Sequence, residues 1–277
     1  MSTGAASPQH PTVPLRHRLN IDSMNASQLS DFRAALQAAM AISDERGYNY
    51  HAGIHGYPLP ISCDIAHGRP IFLPWHRAYL YFFELALRDQ QPGVTLPWWD
   101  WTTDRHIPRA YDEPKVGEDP NPLYSAKVDP LARQQGERAG DVKGPMTTRR
   151  PGADGSPPLP SEEDIKKVLE LPGFLDFTHQ LENFHNNVHV WVGGPSGDMS
   201  DIPFAAFDPI FWAHHAMIDR VWRMWQLRHP SASVPATLLD EALPPFNMTV
   251  RQTLDANTLG YDYAVQAASS RAGTGQP

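Results

Sequence analysis

Thirteen histidines are spread over 277 residues, and their spacing says more than their number. His185 and His189 are four apart inside a helical pattern, which puts both rings on one helix face, close enough to share a metal ion. A single His-x3-His pair is more often surface or core decoration, but this pair is not alone. His214-His215 stands early in another helical pattern whose apolar face, Ile218, Trp222 and Trp225, has to be buried. A histidine on a buried face needs a polar partner or a metal. In the first half, His67 and His76 are nine apart, joined by GRPIFLPW, with His76 directly above an apolar stripe of Tyr79, Leu80, Phe83 and Leu87. His55 in AGIHG follows a further helical segment. His51, four residues earlier, could take its place, and spacing alone does not choose. His179 falls on a different face from His185 and is set aside as a ligand.

The donor set narrows the metal. Neither half carries the Glu of a zinc-protease HExxH, which weakens a hydrolase reading. The Glu and Glu-x-x-His ligands of di-iron bundles are also missing. An all-imidazole environment suits copper, with zinc as the second choice. Two three-histidine sets on four packed helices would hold two metals facing each other, a pair able to deliver two electrons to dioxygen.

Helices must position these groups. Ser27 can cap a first helix running to about Arg46, with Leu29, Phe32, Leu36 and Met40 at helical spacing and Gly47 as its stop. A second begins near Pro74 and ends at Pro92-Gly93. Ser161 with Asp164 starts a short helix, SEEDIKKVLE, by a capping pattern. A third major helix spans Phe174 to Trp191 and is broken by Gly193-Gly194-Pro195. Asp208 as N-cap and Pro209 at the first helical position open a fourth, which ends near His229-Pro230. The expected fold is therefore mainly α, an antiparallel four-helix bundle around a dinuclear copper centre, with long Pro-rich loops. Twenty-eight prolines agree with such loops. Residues 102–160 lack sustained periodicity and read as a surface excursion over the core, near the active site. Residues 1–20 read as a flexible arm, and the low-complexity tail 265–277 as disordered.

Composition excludes several classes. Lys and Arg number 23 against 31 Asp and Glu, a net charge of −8, which argues against nucleic acid as the main partner. No apolar run approaches the roughly 18–20 residues that span a membrane. The N-terminus MSTGAASPQHPTVPLRHRLN has no apolar core of a Sec-type signal, so a cytoplasmic location is the default and export with a partner the alternative. Cys63 is the only cysteine, so no intramolecular disulfide forms.

At the histidine motifs the chain resembles the tyrosinase, catechol oxidase and hemocyanin family of type-3 copper proteins. The matching stretches are AGIHG (52–56), HGRPIFLPWHRAYLYFFELAL (67–87), LPWWDW (96–101), LENFHNNVHVWVGG (181–194), GDM (197–199) and DPIFWAHHAMIDRVW (208–222). LGYDY (259–263) resembles the tyrosine motif that closes the family's catalytic core, which would here be residues 21–264. The resemblance implies that His55, His67 and His76 bind one copper and His185, His189 and His215 the other, with His214 left to packing. Some family members link a cysteine to the middle histidine of the first site. Cys63 lies four residues before His67, so the choice is between a thioether and a free buried thiol.

The resemblance also implies the reaction: ortho-hydroxylation of monophenols by dioxygen and oxidation of o-diphenols to o-quinones. Ionising a phenol of pKa near 10 at pH 7 costs about 4 kcal/mol, so a nearby base helps. Glu182, one helical turn before His185, and Asn186, directly after it, match the pair that holds a proton-accepting water in similar proteins. Their plainer roles would be an ion pair with Arg77 and a local cap. Ile202 matches a gate position, and Val190 either touches substrate or packs. Trp75, Trp98, Trp99, Trp101, Trp212, Trp222 and Phe211 read as core. Arg77 and Asp219 would form a buried salt bridge, or Asp219 would orient a ligand imidazole. The alternatives are a catechol oxidase without monophenol activity and a hemocyanin-like oxygen carrier. Little sequence follows LGYDY, so a C-terminal shielding domain is not expected. The site would then be open, covered by the 102–160 excursion, or served by a separate copper-loading helper.

Overall fold

The computed structural model describes residues 15–59, 63–231 and 234–264. In chain order these form β1 (Arg16–Arg18), α1 (Ala26–Met40), α2 (Tyr48–His55), α3 (Phe72–Gln90), α4 (Arg109–Asp112), β2 (Lys115–Val116), β3 (Asp119–Pro120), α5 (Pro130–Ala139), α6 (Glu162–Leu169), α7 (Phe174–Gly193), α8 (Ile210–Arg228), α9 (Val250–Thr253) and β4 (Tyr261–Tyr263), with short 3-10 turns between them. The mainly α expectation holds.

Ring contacts give the helix directions. Phe83 of α3 stacks on Trp212 of α8 at 3.7 Å, and seven residues earlier His76 stacks on His215 at 4.5 Å, so α3 and α8 run antiparallel. Phe177 of α7 stacks on Trp225, whereas His189 contacts His214 and Phe211, so α7 and α8 are antiparallel too. His51 of α2 meets Phe83 while His55 meets Tyr79 and Trp75, which sets α2 antiparallel to α3. The bundle around the histidines is therefore α2, α3, α7 and α8, with α1 packed on the outside of α3. The six tryptophans read as core, and Phe211, are all fully buried.

Several boundaries move. Asn25, not Ser27, caps α1, through a capping box with Gln28. The helix stops at Met40, where the apolar period ends, and the chain turns through an Asp44 side chain that accepts from the Arg46 N–H. The segment that seemed to prolong α1 is followed by a separate helix, α2, so His55 closes its own helix. Pro74 sits inside the first turn of α3, where its missing N–H costs nothing. Ser161 and Asp164 cap α6 as expected. Asp208 accepts from the Ile210 N–H at the start of α8.

The first twenty residues are not a loose arm throughout. Arg16–Arg18 pair in parallel with Tyr261–Tyr263, and Arg18 is completely buried. Residues 1–14 and the tail 265–277 lie outside the described residues. The 102–160 excursion carries α4, a β2–β3 hairpin and α5, and it is fixed to the core. Arg149 reaches Asp208 with both Nε and Nη2 and donates to the carbonyls of Tyr111 and Leu123. No helix of the described residues is long and apolar enough to cross a membrane.

Candidate metal centre

Three elements bring the first trio together. His55 closes α2, His67 follows a 3-10 turn at Cys63–Ile65, and His76 lies one turn into α3. Their ring centroids are 5.3–5.8 Å apart. The second trio comes from α7 and α8. The Nε2 of His215 lies 3.2 Å from that of His185 and 3.1 Å from that of His189. Three nitrogens each about 2.1 Å from one tetrahedral ion would be roughly 3.4 Å apart, so the spacing is that of a ligand set. His76 stacked on His215, and His67 5.6 Å from His185, join the two trios into one cluster.

The tautomers point the same way. A carbonyl can only accept, so the Nδ1–H of His55 donates to Ile202 O, that of His76 to Phe72 O and that of His189 to Met199 O. The Nδ1 of His185 faces Asn186 Oδ1 at 2.9 Å. Each of these four rings is thereby oriented by its far nitrogen, which leaves Nε2 with a lone pair aimed inward. The Nε2 atoms of His55, His67 and His76 are buried with no protein partner. Such orphaned acceptors are costly unless something binds them, and a metal ion does.

The ambiguous histidines separate on this geometry. His51 faces Phe83 and Tyr50 and joins no potential metal group among the described residues. His55 groups with His76 and His215. His214 is fully buried beside His185 and His189, yet it is the His215 Nε2 that meets both of theirs. His179 is exposed on α7. Cys63 is a free, buried thiol whose Sγ lies 3.5 Å from His67 Nδ1, a hydrogen-bond distance and not a covalent one. Burial pushes that thiol far up, so it stays protonated.

Glu182 does not pair with Arg77. Its Oε1 accepts from the Gly68 N–H at 2.6 Å, tying α7 to the turn that carries His67. Burial raises its carboxyl above the ordinary value, against the opposing effects of the Gly68 hydrogen bond and His179. Arg77 instead bonds Asp219, and no hydrogen bond joins Asp219 to a ligand imidazole among the described residues. A cavity of about 230 Å³ opens onto the cluster, lined in part by Asn186, Val190, Met199 and Ile202. Glu182 is not among its lining residues. Spacing did not reveal the carbonyls of Phe72, Met199 and Ile202 that orient the rings, because every residue type offers one. Glycine was the available signal: a Cβ on Gly193 would lie 2.2 Å from the Ser200 nitrogen, so only glycine lets the GDM turn bring Met199 O onto His189.

Burial pushes His51, His67 and His189 down to about 4, and His55, His76, His185, His214 and His215 well below the ordinary 6.5. The unfolded chain protonates its histidines below pH 6.5, whereas the folded metal-free chain resists protonation down to about 4. The stability tied to neutral imidazoles is thus complete above pH 6.5 and is lost as pH falls, by up to about 1.4 kcal/mol per pH unit for each histidine. The metal-free protein is expected to show a steeply falling melting temperature from pH 6.5 towards 4. A flat profile there would contradict a buried, neutral cluster.

The comparisons agree with this centre. A family model described as the common central domain of tyrosinase matches residues 45–228. Over 224 residues the chain is 34% identical to a tyrosinase of Streptomyces antibioticus, covering 72% of this chain and 81% of that protein. Over 258 residues it is 33% identical to hemocyanin units G and H of Sepia officinalis, covering 83% of this chain but only 42% of that much longer protein. A solved functional unit of octopus hemocyanin superposes with a TM-score of 0.74 at 29% identity, over 90% of this chain and 68% of that one.

Proposed function

The chain belongs to the tyrosinase family of type-3 copper proteins, which bind two copper ions and include hemocyanins, and within that family we propose that it oxidises phenols with dioxygen and does not serve as an oxygen carrier. His55, His67 and His76 would hold one ion and His185, His189 and His215 the other. When bound, the pair supplies uptake of dioxygen and a two-electron exchange.

The observation that carries this reading is the mouth of the metal cavity. Val190 and Ile202 flank it and are 40% and 46% exposed. A volume of about 230 Å³ compares with about 30 Å³ per water, so the cavity admits a ring and not only a diatomic gas. Neither gate side chain is aromatic, and a phenol can enter edge-on between them.

The proton-handling residues are Glu182 and Asn186. With its Oδ1 taken by His185, Asn186 has its amide N–H groups left to orient a water at the cavity wall. With its Oε1 taken by Gly68, Glu182 has one oxygen left to receive the phenol proton through that water. Its raised pKa matches this task better than an ordinary carboxylate, since a base near the working pH transfers protons most efficiently. The base is lost when Glu182 is protonated, so monophenol turnover should fall on the acid side at a pH above the usual carboxylate range.

Oxygen uptake on a monophenol and on its matching catechol, offered separately, tests the proposal. Glu182→Gln is expected to lower kcat/KM for the monophenol by about 100-fold while leaving the catechol within a few-fold. Equal losses would make Glu182 structural. Oxidation of the catechol alone by the unaltered protein would make it a catechol oxidase. Reversible oxygenation with both phenols untouched would make it a carrier, as in its hemocyanin relatives.

A further inference from the structure

Beside the metal cavity lies a larger groove, about 730 Å³, and the two share Ile202. One wall is the turn after His55, with Tyr57, Pro58 and Leu59. The other is the second half of α5, which the excursion contributes. Asp129 caps this helix, Pro130 opens it and Gly140 in the left-handed conformation ends it. The wall is held rigidly. Gln135 Nε2 donates to Pro58 O at 3.3 Å. A Cβ on Gly136 would lie 2.5 Å from the Phe204 ring, so the helix backbone rests directly on the segment that follows Ile202. Lys143, just beyond α5, pairs with Asp201 at 2.8 Å.

The groove has an apolar stretch and a cationic side chain. Asp64 also lines it. Arg138 lies on α5 and has no hydrogen-bond or ion-pair partner among the described residues. A ring seated at the metals with a para substituent leading past Ile202 therefore enters a groove that offers apolar surface and, on its α5 wall, the Arg138 guanidinium. A long apolar tail would lie along Tyr57, Pro58 and Leu59 and place its terminal anion at Arg138.

We propose that this groove is a substrate subsite that selects phenols bearing a long para substituent ending in a carboxylate, with Arg138 as the specificity-determining residue. The proposal rests on the phenol-oxidising reading of the same centre. Its test is a series of ω-(3,4-dihydroxyphenyl)alkanoic acids from acetic to heptanoic, with 4-methylcatechol as the tail-less control, on the copper-loaded protein. Catechols are used so that the result does not depend on monophenol activity. Specificity, kcat/KM, should rise along the series. Arg138→Gln should remove about three- to fivefold of it for the longest acid, through KM, and leave 4-methylcatechol unchanged. A flat series, or equal losses on acid and control, would overturn the proposal. Failure to oxidise 4-methylcatechol would instead fault the phenol-oxidising reading. Binding of 7-phenylheptanoate, measured by calorimetry, then reads the groove without turnover: three- to fivefold weaker binding to Arg138→Gln supports it, and equal binding refutes it.

Discussion

In His55→Ala and in His215→Ala the purified protein is expected to carry about one copper per chain in place of two, with phenol turnover down at least roughly a hundredfold. Loss of a single outer-shell partner already costs 10- to 100-fold in metal affinity or activity, and removing a ligand costs more. Two imidazoles then remain on one side of a centre whose chemistry needs both ions. His51→Ala and His214→Ala are the matched controls. Both residues are buried histidines one turn or one residue away, so they share the stability cost of a truncated core side chain. His51 joins no potential metal group among the described residues, and His214, although a nitrogen of its ring lies within 4.8 Å of those of His185, His189 and His215, does not make the Nε2 contacts that His215 makes with both partners. The controls should keep about two coppers by elemental analysis. A reversed pattern, with His214→Ala losing copper and His215→Ala keeping it, would reassign the ligand.

These pairs also show where sequence reading reaches its limit. His185 and His189 were legible because a spacing of four on a helix is itself a geometric statement. His51 and His55 have that spacing too, yet only His55 faces the histidine cluster. Their helix, YNYHAGIH, is buried on nearly every side, so it has no polar face to mark its period or its orientation. The choice follows from tertiary packing, which puts Phe83 against one ring and the cavity before the other. The helix α5 was missed for the opposite reason. Its aspartate cap, proline start and glycine stop were all readable, but PLARQQGERA is so polar that no apolar stripe announces it. It is held by a glycine contact and one glutamine, neither of which has a periodic signature. Glu182 is marked by its place one turn before His185, but its partner, the Gly68 N–H, is one that no residue type betrays.

The buried Arg77–Asp219 bridge is legible in the sequence, but its extension to Arg18, Glu84, Tyr261 and Tyr263 is not, and breaking this network should cost the most stability. Asp219 lies one turn after His215 on α8. Its Oδ1 accepts from Arg77 Nε at 2.5 Å, and its Oδ2 from Arg18 Nη1 at 3.2 Å, the Tyr261 hydroxyl at 2.7 Å and the Tyr263 hydroxyl at 2.5 Å. Glu84 accepts from Arg18 Nε at 2.8 Å. Both arginines are completely buried, stacked on Trp222 and Tyr261, and the two carboxylates are 2–3% exposed. Two positive and two negative charges thus cancel in the core, joining β1, α3, α8 and β4. Burial would raise the Asp219 carboxyl, but Arg77 and Arg18 hold it below the ordinary 3.8. Its contribution is therefore present above that pH and lost as pH falls further. Asp219→Ala leaves one buried positive charge uncompensated and two hydroxyls without an acceptor, at an expected cost of about 3–5 kcal/mol. For a domain of this size that lowers the melting temperature by roughly 6–20 °C. Asp219→Asn keeps the shape but not the charge, so a loss close to that of alanine would identify the electrostatic balance as the cause. A melting temperature within 2 °C or so of the unaltered protein in both variants would mean that the arginines find other partners. Copper content at a temperature where each variant is folded should remain about two per chain, because no atom of Asp219 bonds a ligand imidazole. The network acts by holding β1 and β4 against α3 and α8, the two helices that present His76 and His215.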